Sequence, residues 1–246
     1  MLSNIRIVLV NTSHPGNIGA VARAMKTMGL TRLTLVAPEK YPHVEATARA
    51  SGADDVLAQA QIVGSLQEAL AGCHLVLGAS ARSRTIPWPQ VDPRACAALA
   101  VGASATEEVA VVFGREHSGL TNDELERCHY LVHIPANPDF SSLNIAAAVQ
   151  IIAYEIRVAN LQTASEVNSD DEERVPLATM EEMEQFYDHL WQTLIDIGFV
   201  DPAKPRLLAR RLRRLFNRSR LDKNEFNMLR GILAAAQAQV IEVKRG

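Results

Sequence analysis

Short, unbroken apolar runs recur through the first 160 residues, each followed by turn residues and then by a segment with helical spacing. Residues 4–10 (NIRIVLV), 33–36 (LTLV), 74–79 (HLVLGA), 109–113 (VAVVF) and 130–134 (YLVHI) are rich in β-branched residues and too short for buried helices, so they read as strands. Residues 61–63 read as a weaker strand. Between them the spacing predicts helices over 18–29, 45–58 (broken near Gly52), 65–71, 121–127 and 142–160. Gly29 and Gly72 close two of them, and Thr121 with Glu124 forms a capping box. A strand that does not alternate with polar residues is buried on both faces. The expected fold is therefore α/β, a mostly parallel sheet covered by helices.

The remainder reads differently. Residues 163–176 (TASEVNSDDEERVP) lack apolar periodicity and read as an acidic, flexible linker. Three helices are expected beyond it, over 178–197, 206–218 and 222–242, the last opened by Asp222 and Glu225. The expected organisation is a domain over 1–162, the linker over 163–176 and a helical C-terminal domain over 177–246. About 70 residues in three helices make a thin core, so this tail is expected to pack on something larger.

The net charge of −3, taken whole, argues against a nucleic-acid partner. Its distribution says otherwise. Residues 166–188 hold nine acidic residues and one Arg, whereas 204–220 hold eight Lys or Arg and no acid. Seven of those eight are Arg, whose forked guanidinium suits phosphate. An ordinary solvated helix face is the alternative. Leu208, Leu212, Leu215 and Phe216 are expected to share its apolar side.

Several classes are excluded. No stretch approaches the ~18 apolar residues of a membrane span, and the N-terminal apolar run is too short for a signal peptide. Cys73, Cys96 and Cys128 form no CxxC, and the seven His have no ligand spacing, so no metal is expected. A cytoplasmic protein is the expectation. There is no P-loop, no G-x-S-x-G and no H-E-x-x-H. Gly16-Asn17-Ile18-Gly19 with Glu39 imitates a dinucleotide fingerprint but lacks its third glycine, which leaves an NAD-dependent dehydrogenase as a weak alternative.

Parallel sheets bind ligands in the loops at the carboxyl ends of their strands. Three such loops concentrate unusual residues: Asn17, Gly19 and Arg23 after the first strand; Phe113-Gly114-Arg115-Glu116-His117-Ser118-Gly119-Leu120; and Ile134-Pro135 followed by Ser141-Ser142-Leu143-Asn144. Ser141 or Ser142 is expected to cap the next helix, leaving the Asn144 amide free to orient a ligand. Each motif alone is weak. In this order and spacing, over about residues 1–160, the chain resembles the SPOUT (trefoil-knot) RNA methyltransferases.

The resemblance implies a C-terminal knot in the sheet domain, S-adenosylmethionine as cofactor, a homodimer, and tRNA as substrate. The implied reaction is methylation of the ribose 2′-hydroxyl of cytidine or uridine 32 in the anticodon loop. It implies cofactor contacts at Ala79, Ser80, Ala81, Gly114, Arg115, Glu116, Gly119, Ile134, Ser141, Ser142, Leu143 and Asn144. Arg23, Asn17, Ser142, Asn144 and Glu116 are the implied catalytic group. Arg82, Arg84, Arg210, Arg211, Arg213, Arg214 and Arg218 are the expected RNA contacts. Trp88 or Phe140 could stack a base, or simply pack. An RNA-binding protein that kept the fold without catalysis is the other alternative.

Overall fold

The computed structural model describes residues 2–80, 88–166, 175–202 and 207–245. In chain order the elements are β1 (Ile5–Val10), α1 (Pro15–Met28), β2 (Arg32–Val36), α2 (Val44–Ala50), α3 (Asp54–Ala58), β3 (Gln61–Val63), α4 (Leu66–Leu70) and β4 (Cys73–Ala79). They continue with β5 (Gln90–Val91), α5 (Pro93–Ala103), β6 (Glu108–Phe113), α6 (Asn122–Leu125), β7 (Tyr130–Val132) and α7 (Ile145–Glu166). The tail holds α8 (Met180–Asp196), α9 (Leu208–Ser219) and α10 (Lys223–Arg245).

The seven strands form one sheet in the order β3-β2-β1-β6-β4-β7-β5, and every pairing is parallel. Side-chain alternation splits the strands between two cores. Ile5, Ile7, Leu9, Val109, Val111 and Phe113 face α1, α2, α5 and α7, whereas Val8, Val10, Ala110 and Val112 face α4 and the segment around Cys128. Burial on both faces explains the unbroken apolar runs. The connection after β1 runs to β2 on one side and that after β6 to β7 on the other, so the switch lies between β1 and β6 and the loops after these two strands open side by side.

Local chemistry sets the boundaries. The first helix starts at Pro15 rather than residue 18, because His14 caps it by accepting from the Gly16 N–H, and it ends at Gly29, whose φ is 81°. The break expected near Gly52 divides α2 from α3. Gly19 lets α1 touch α2: a Cβ there would lie 1.9 Å from the Ala46 carbonyl oxygen. The α5 helix was not expected. Its sequence, PRACAALAVGA, lacks polar contrast, and its start is set by Asp92 accepting from Ala95 N–H. The final strand ends at Val132, two residues early.

The last helix of the sheet domain starts at Ile145, not 142. Asn144 Oδ1 accepts from the Ala146 N–H at 2.8 Å, so Asn144, and neither serine, is the cap. The same helix runs to Glu166, beyond the expected linker start at 163; residues 167–174 lie outside the described residues.

The tail docks on the sheet domain. Phe186, Tyr187, Leu190, Leu221 and Phe226 make a small core of their own, but Met180 joins the core on the second face of the sheet. Asn217, 2% exposed, sits at the junction. Its Nδ2 donates to the Glu126 carbonyl at 2.9 Å, and its Oδ1 accepts from Tyr187 at 2.6 Å. Leu215 is 45% exposed, so it does not share the apolar side of α9 with Leu212 and Phe216. No helix among the described residues is long and apolar enough to cross a membrane. Asn217→Ala removes the donor to the Glu126 carbonyl and leaves the Tyr187 hydroxyl only its 3.3 Å bond to the Arg213 carbonyl. It is expected to cost about 2–3 kcal/mol in urea unfolding and to speed proteolysis after residue 166; an unchanged midpoint would contradict this docking.

Candidate functional site

The loops after β1, β4, β6 and β7 enclose a cleft of about 860 Å³ at the carboxyl ends of the strands. Ser13, His14 and Asn17 come from the first loop, Ala79 and Ser80 from the second, residues 113–119 from the third, and Ile134 with Ser141–Ile145 from the fourth. Val132, Ile134, Ile145 and Ala148 give it an apolar floor, and the serines and asparagines a polar rim.

Glu116 ties the loops together. Its Oε2 accepts from the Ser13 N–H and Oγ, both at 3.2 Å, and its Oε1 from the His14 N–H at 3.3 Å and Asn17 Nδ2 at 3.0 Å. Asn17 Oδ1 in turn accepts from Asn144 Nδ2 at 3.0 Å. The motifs around residues 17, 116 and 144 therefore meet through one chain of hydrogen bonds. Burial pushes the Glu116 carboxyl up, but the bonds from Asn17, its own backbone, Ser13 and His14 outweigh it and hold the group below its usual 4.5.

The third loop is closed on itself. Arg115 and Gly119 exchange backbone hydrogen bonds at 3.2 and 2.9 Å. Gly119 has φ of 68°, and a Cβ on Gly114 would lie 2.1 Å from the Gly119 carbonyl carbon, so both positions require glycine. The Arg115 guanidinium reaches away to Glu124 at 3.0 and 3.1 Å and to Asn11 at 2.6 Å. Glu124 also completes the Thr121 capping box. Arg115 thus anchors the loop to α6 and to the end of β1.

Of the residues expected at a ligand, Asn17, Ala79, Ser80, Gly114, Arg115, Glu116, Gly119, Ile134, Ser141, Ser142, Leu143 and Asn144 all line the cleft. Ala81, Arg82 and Arg84 lie outside the described residues. Arg23 is not part of the lining; it is exposed on α1, and among the described residues no group pairs with its guanidinium. Ser13 and His14 were missed, because both reach Glu116 through backbone N–H, with only the Ser13 hydroxyl added from a side chain. Trp88 is 9% exposed and donates from Nε1 to the Cys128 carbonyl at 2.8 Å, so it is a core residue.

Part of the arginine helix is engaged in ion pairs. Arg213 holds Glu184 through two 2.7 Å bonds and lies 4.4 Å over the Tyr187 ring, and Glu184 also accepts from Arg127 of the sheet domain. Arg210 pairs with Glu126 at 2.7 Å and Asp123 at 3.2 Å. Both were expected on RNA; in the structure Arg210 ties α9 to the sheet domain, and Arg213 ties it to α8 through Glu184. Arg211 and Arg218 are exposed, and Arg214 is half-buried.

The comparisons agree with this architecture. The model of the SpoU rRNA Methylase family matches residues 4–154, which sets the class as the SpoU type of SPOUT methyltransferase. A second model, the C-terminal domain of the tRNA methyltransferase TrmJ, matches residues 181–245. The chain is 56% identical to a tRNA (cytidine/uridine/adenosine-2′-O-)-methyltransferase TrmJ of Pseudomonas aeruginosa, over 96% of this chain and 95% of that one. It is also 56% identical to a tRNA (cytidine/uridine-2′-O-)-methyltransferase TrmJ of Salmonella typhimurium, over 97% and 98%. The crystal structure of TrmJ from Z. mobilis superposes with a TM-score of 0.80 at 34% identity, over 94% and 97%. The chain belongs to the SpoU methylase family and, within it, to the TrmJ group.

Glu116→Gln places an amide hydrogen against one pair of donors. Isothermal titration with S-adenosylmethionine is expected to show about tenfold or greater weakening with the far-UV dichroism unchanged. In the native protein, affinity should hold from neutral pH down to the ordinary carboxylate range and fall only below 4.5, because a lowered carboxyl loses its contribution as pH drops through its folded value. Unchanged affinity in the variant would contradict the role of Glu116.

Proposed function

We propose that the protein methylates the ribose 2′-hydroxyl of a tRNA nucleotide, cytidine or uridine at position 32 of the anticodon loop, using S-adenosylmethionine. The observation that carries this reading is the convergence of three separate motifs, around residues 17, 116 and 144, on one cleft. An apolar floor beside a polar rim suits a ligand that is part nucleoside and part amino acid. Val132, Ile134 and Ile145 would take its apolar part, and Ser80, Ser141, Ser142 and the loop backbone at 114–119 its polar groups.

When bound, S-adenosylmethionine supplies a methyl group activated by its positively charged sulfur. Glu116 is not the acceptor of the hydroxyl proton: both its oxygens already hold two donors. It keeps Asn17 in register, and Asn17 with Asn144, bonded to each other, fixes the rim against which the ligands are oriented. Arg23, a permanent cation, holds an RNA phosphate and stabilises negative charge building on the 2′-oxygen. The hydroxyl proton leaves to an RNA phosphate or to water.

Arg23 stands outside the cleft of its own chain, which fits a homodimer in which it serves a shared site. Ala147, Ile151, Tyr154, Val158 and Leu161 recur at four- and three-residue spacing along α7 and are exposed or half-exposed, with Tyr154 at 53% and Leu161 at 55%. A second copy is the occupant we assign to that stripe. The insertion of β7 between β4 and β5 is compatible with the implied knot. Residues 1–162 act as the catalytic unit and 177–246 as a docked tRNA-binding unit, and the protein works in the cytoplasm.

Two outcomes test this. Arg23→Ala is expected to reduce transfer of labelled methyl to unmodified tRNA at least a hundredfold while cofactor affinity stays within twofold; full activity would contradict the assignment. Arg211→Glu with Arg218→Glu is expected to weaken tRNA binding and flatten its salt dependence by about one unit of slope for each phosphate no longer neutralised. An unchanged slope in filter binding would remove α9 from the RNA interface.

A further inference from the structure

We infer that Phe140 is the platform on which the base of the target nucleotide stacks while its ribose enters the cleft. This rests on the reading of the protein as a tRNA 2′-O-methyltransferase. The Phe140 ring is 79% exposed, although a side chain of that size is ordinarily buried. The fold does not need it there for packing. Its backbone is held by a turn in which the Phe140 N–H donates to the Asn137 carbonyl and the Asp139 N–H to Asn137 Oδ1, both at 3.0 Å.

Place and chemistry select the occupant. Phe140 is not itself part of the cleft lining but immediately precedes Ser141–Asn144, which are, so a base stacked on it would have its sugar within reach of the rim. Phe113 lines the cleft but is 2% exposed, and Trp88 is in the core, so neither offers a free face. Leu143, 38% exposed and three residues on, extends the apolar rim. An unstacked nucleotide in a loop is read by aromatic faces. Stacking is also tolerant of base identity, since every base has a π-face. That tolerance matches the substrate range in the names of the relatives, which runs from cytidine and uridine alone to all of cytidine, uridine and adenosine. A site reading base edges by hydrogen bonds would reject that range.

The test uses the full-length protein with tRNA carrying either the normal nucleotide or an abasic ribose at the position the wild type methylates. Phe140→Ala is expected to lower kcat/KM on normal tRNA by about ten- to a hundredfold. Phe140→Trp should retain activity and Phe140→Leu should not. Cofactor affinity and melting temperature should stay unchanged. On abasic tRNA the wild type should fall to the level of Phe140→Ala, and the two should then be equal. Equal activity of wild type and Phe140→Ala on normal tRNA would overturn the inference, as would a penalty that persists on abasic tRNA. A shift of Phe140→Ala to a smaller species in sedimentation would also overturn it, by making the ring a subunit contact. A wild type inert on every tRNA would overturn the underlying reading as well, and so separates the two failures.

Discussion

One carboxylate holds the working end of this molecule together. The loops after β1 and β6 come from neighbouring parallel strands, and nothing in the sheet itself fixes how they lean. Glu116 does so by taking four donors, two on each oxygen, from Ser13, His14 and Asn17. Hydrogen bonds to a charged group are stronger than neutral ones, and here they outweigh the burial of the carboxyl. Asn17 then passes the registration to Asn144, whose other amide atom caps α7. The start of the longest helix of the sheet domain, the rim of the cleft and the start of α1 are thereby one connected network. Glu116, which the family resemblance offers as a cofactor contact, is in the structure the joint between the loops of the cleft.

The same division of labour runs through the arginines. Arg115 belongs to the cleft by position, but its guanidinium is spent on Glu124 and Asn11. Arg210 and Arg213 belong to a basic helix, yet they fasten it to Asp123, Glu126 and Glu184. The acidic and basic blocks that nearly cancel in the net charge thus meet in part as ion pairs, through Glu184. Among the described residues of this block, Arg211 and Arg218 remain exposed. Since α9 abuts the segment between α6 and β7, they lie on the same body as the cleft.

Much of this was legible beforehand, for physical reasons. Strands buried on both faces must be written as unbroken apolar runs, so the sheet was readable. Helix ends were readable where a cap marks them: Gly29 through its positive φ, and Thr121 with Glu124 and Asp222 with Glu225 through their side chains, behave as their types predict. The α5 helix was not, because alanine, valine and glycine carry no periodic contrast. Asn144 was misjudged because capping and ligand orientation use the same amide, and the sequence does not say which serine or asparagine the helix selects. Whether an arginine faces a carboxylate or solvent depends on tertiary pairs some 30 to 90 residues apart, such as Arg213 with Glu184 and Arg210 with Asp123. The resemblance to a family pointed to the cleft residues; the geometry shows that Asn17, Glu116 and Asn144 among them hold one another.

The central claim is that these loops form a single site for ribose methylation of tRNA. The most direct measurement is mass spectrometry of nuclease digests from unmodified tRNA incubated with the protein and S-adenosylmethionine. The account predicts one added 2′-O-methyl group, on cytidine or uridine at position 32. A methyl group on a base, methylation scattered over many riboses, or none at all would contradict it.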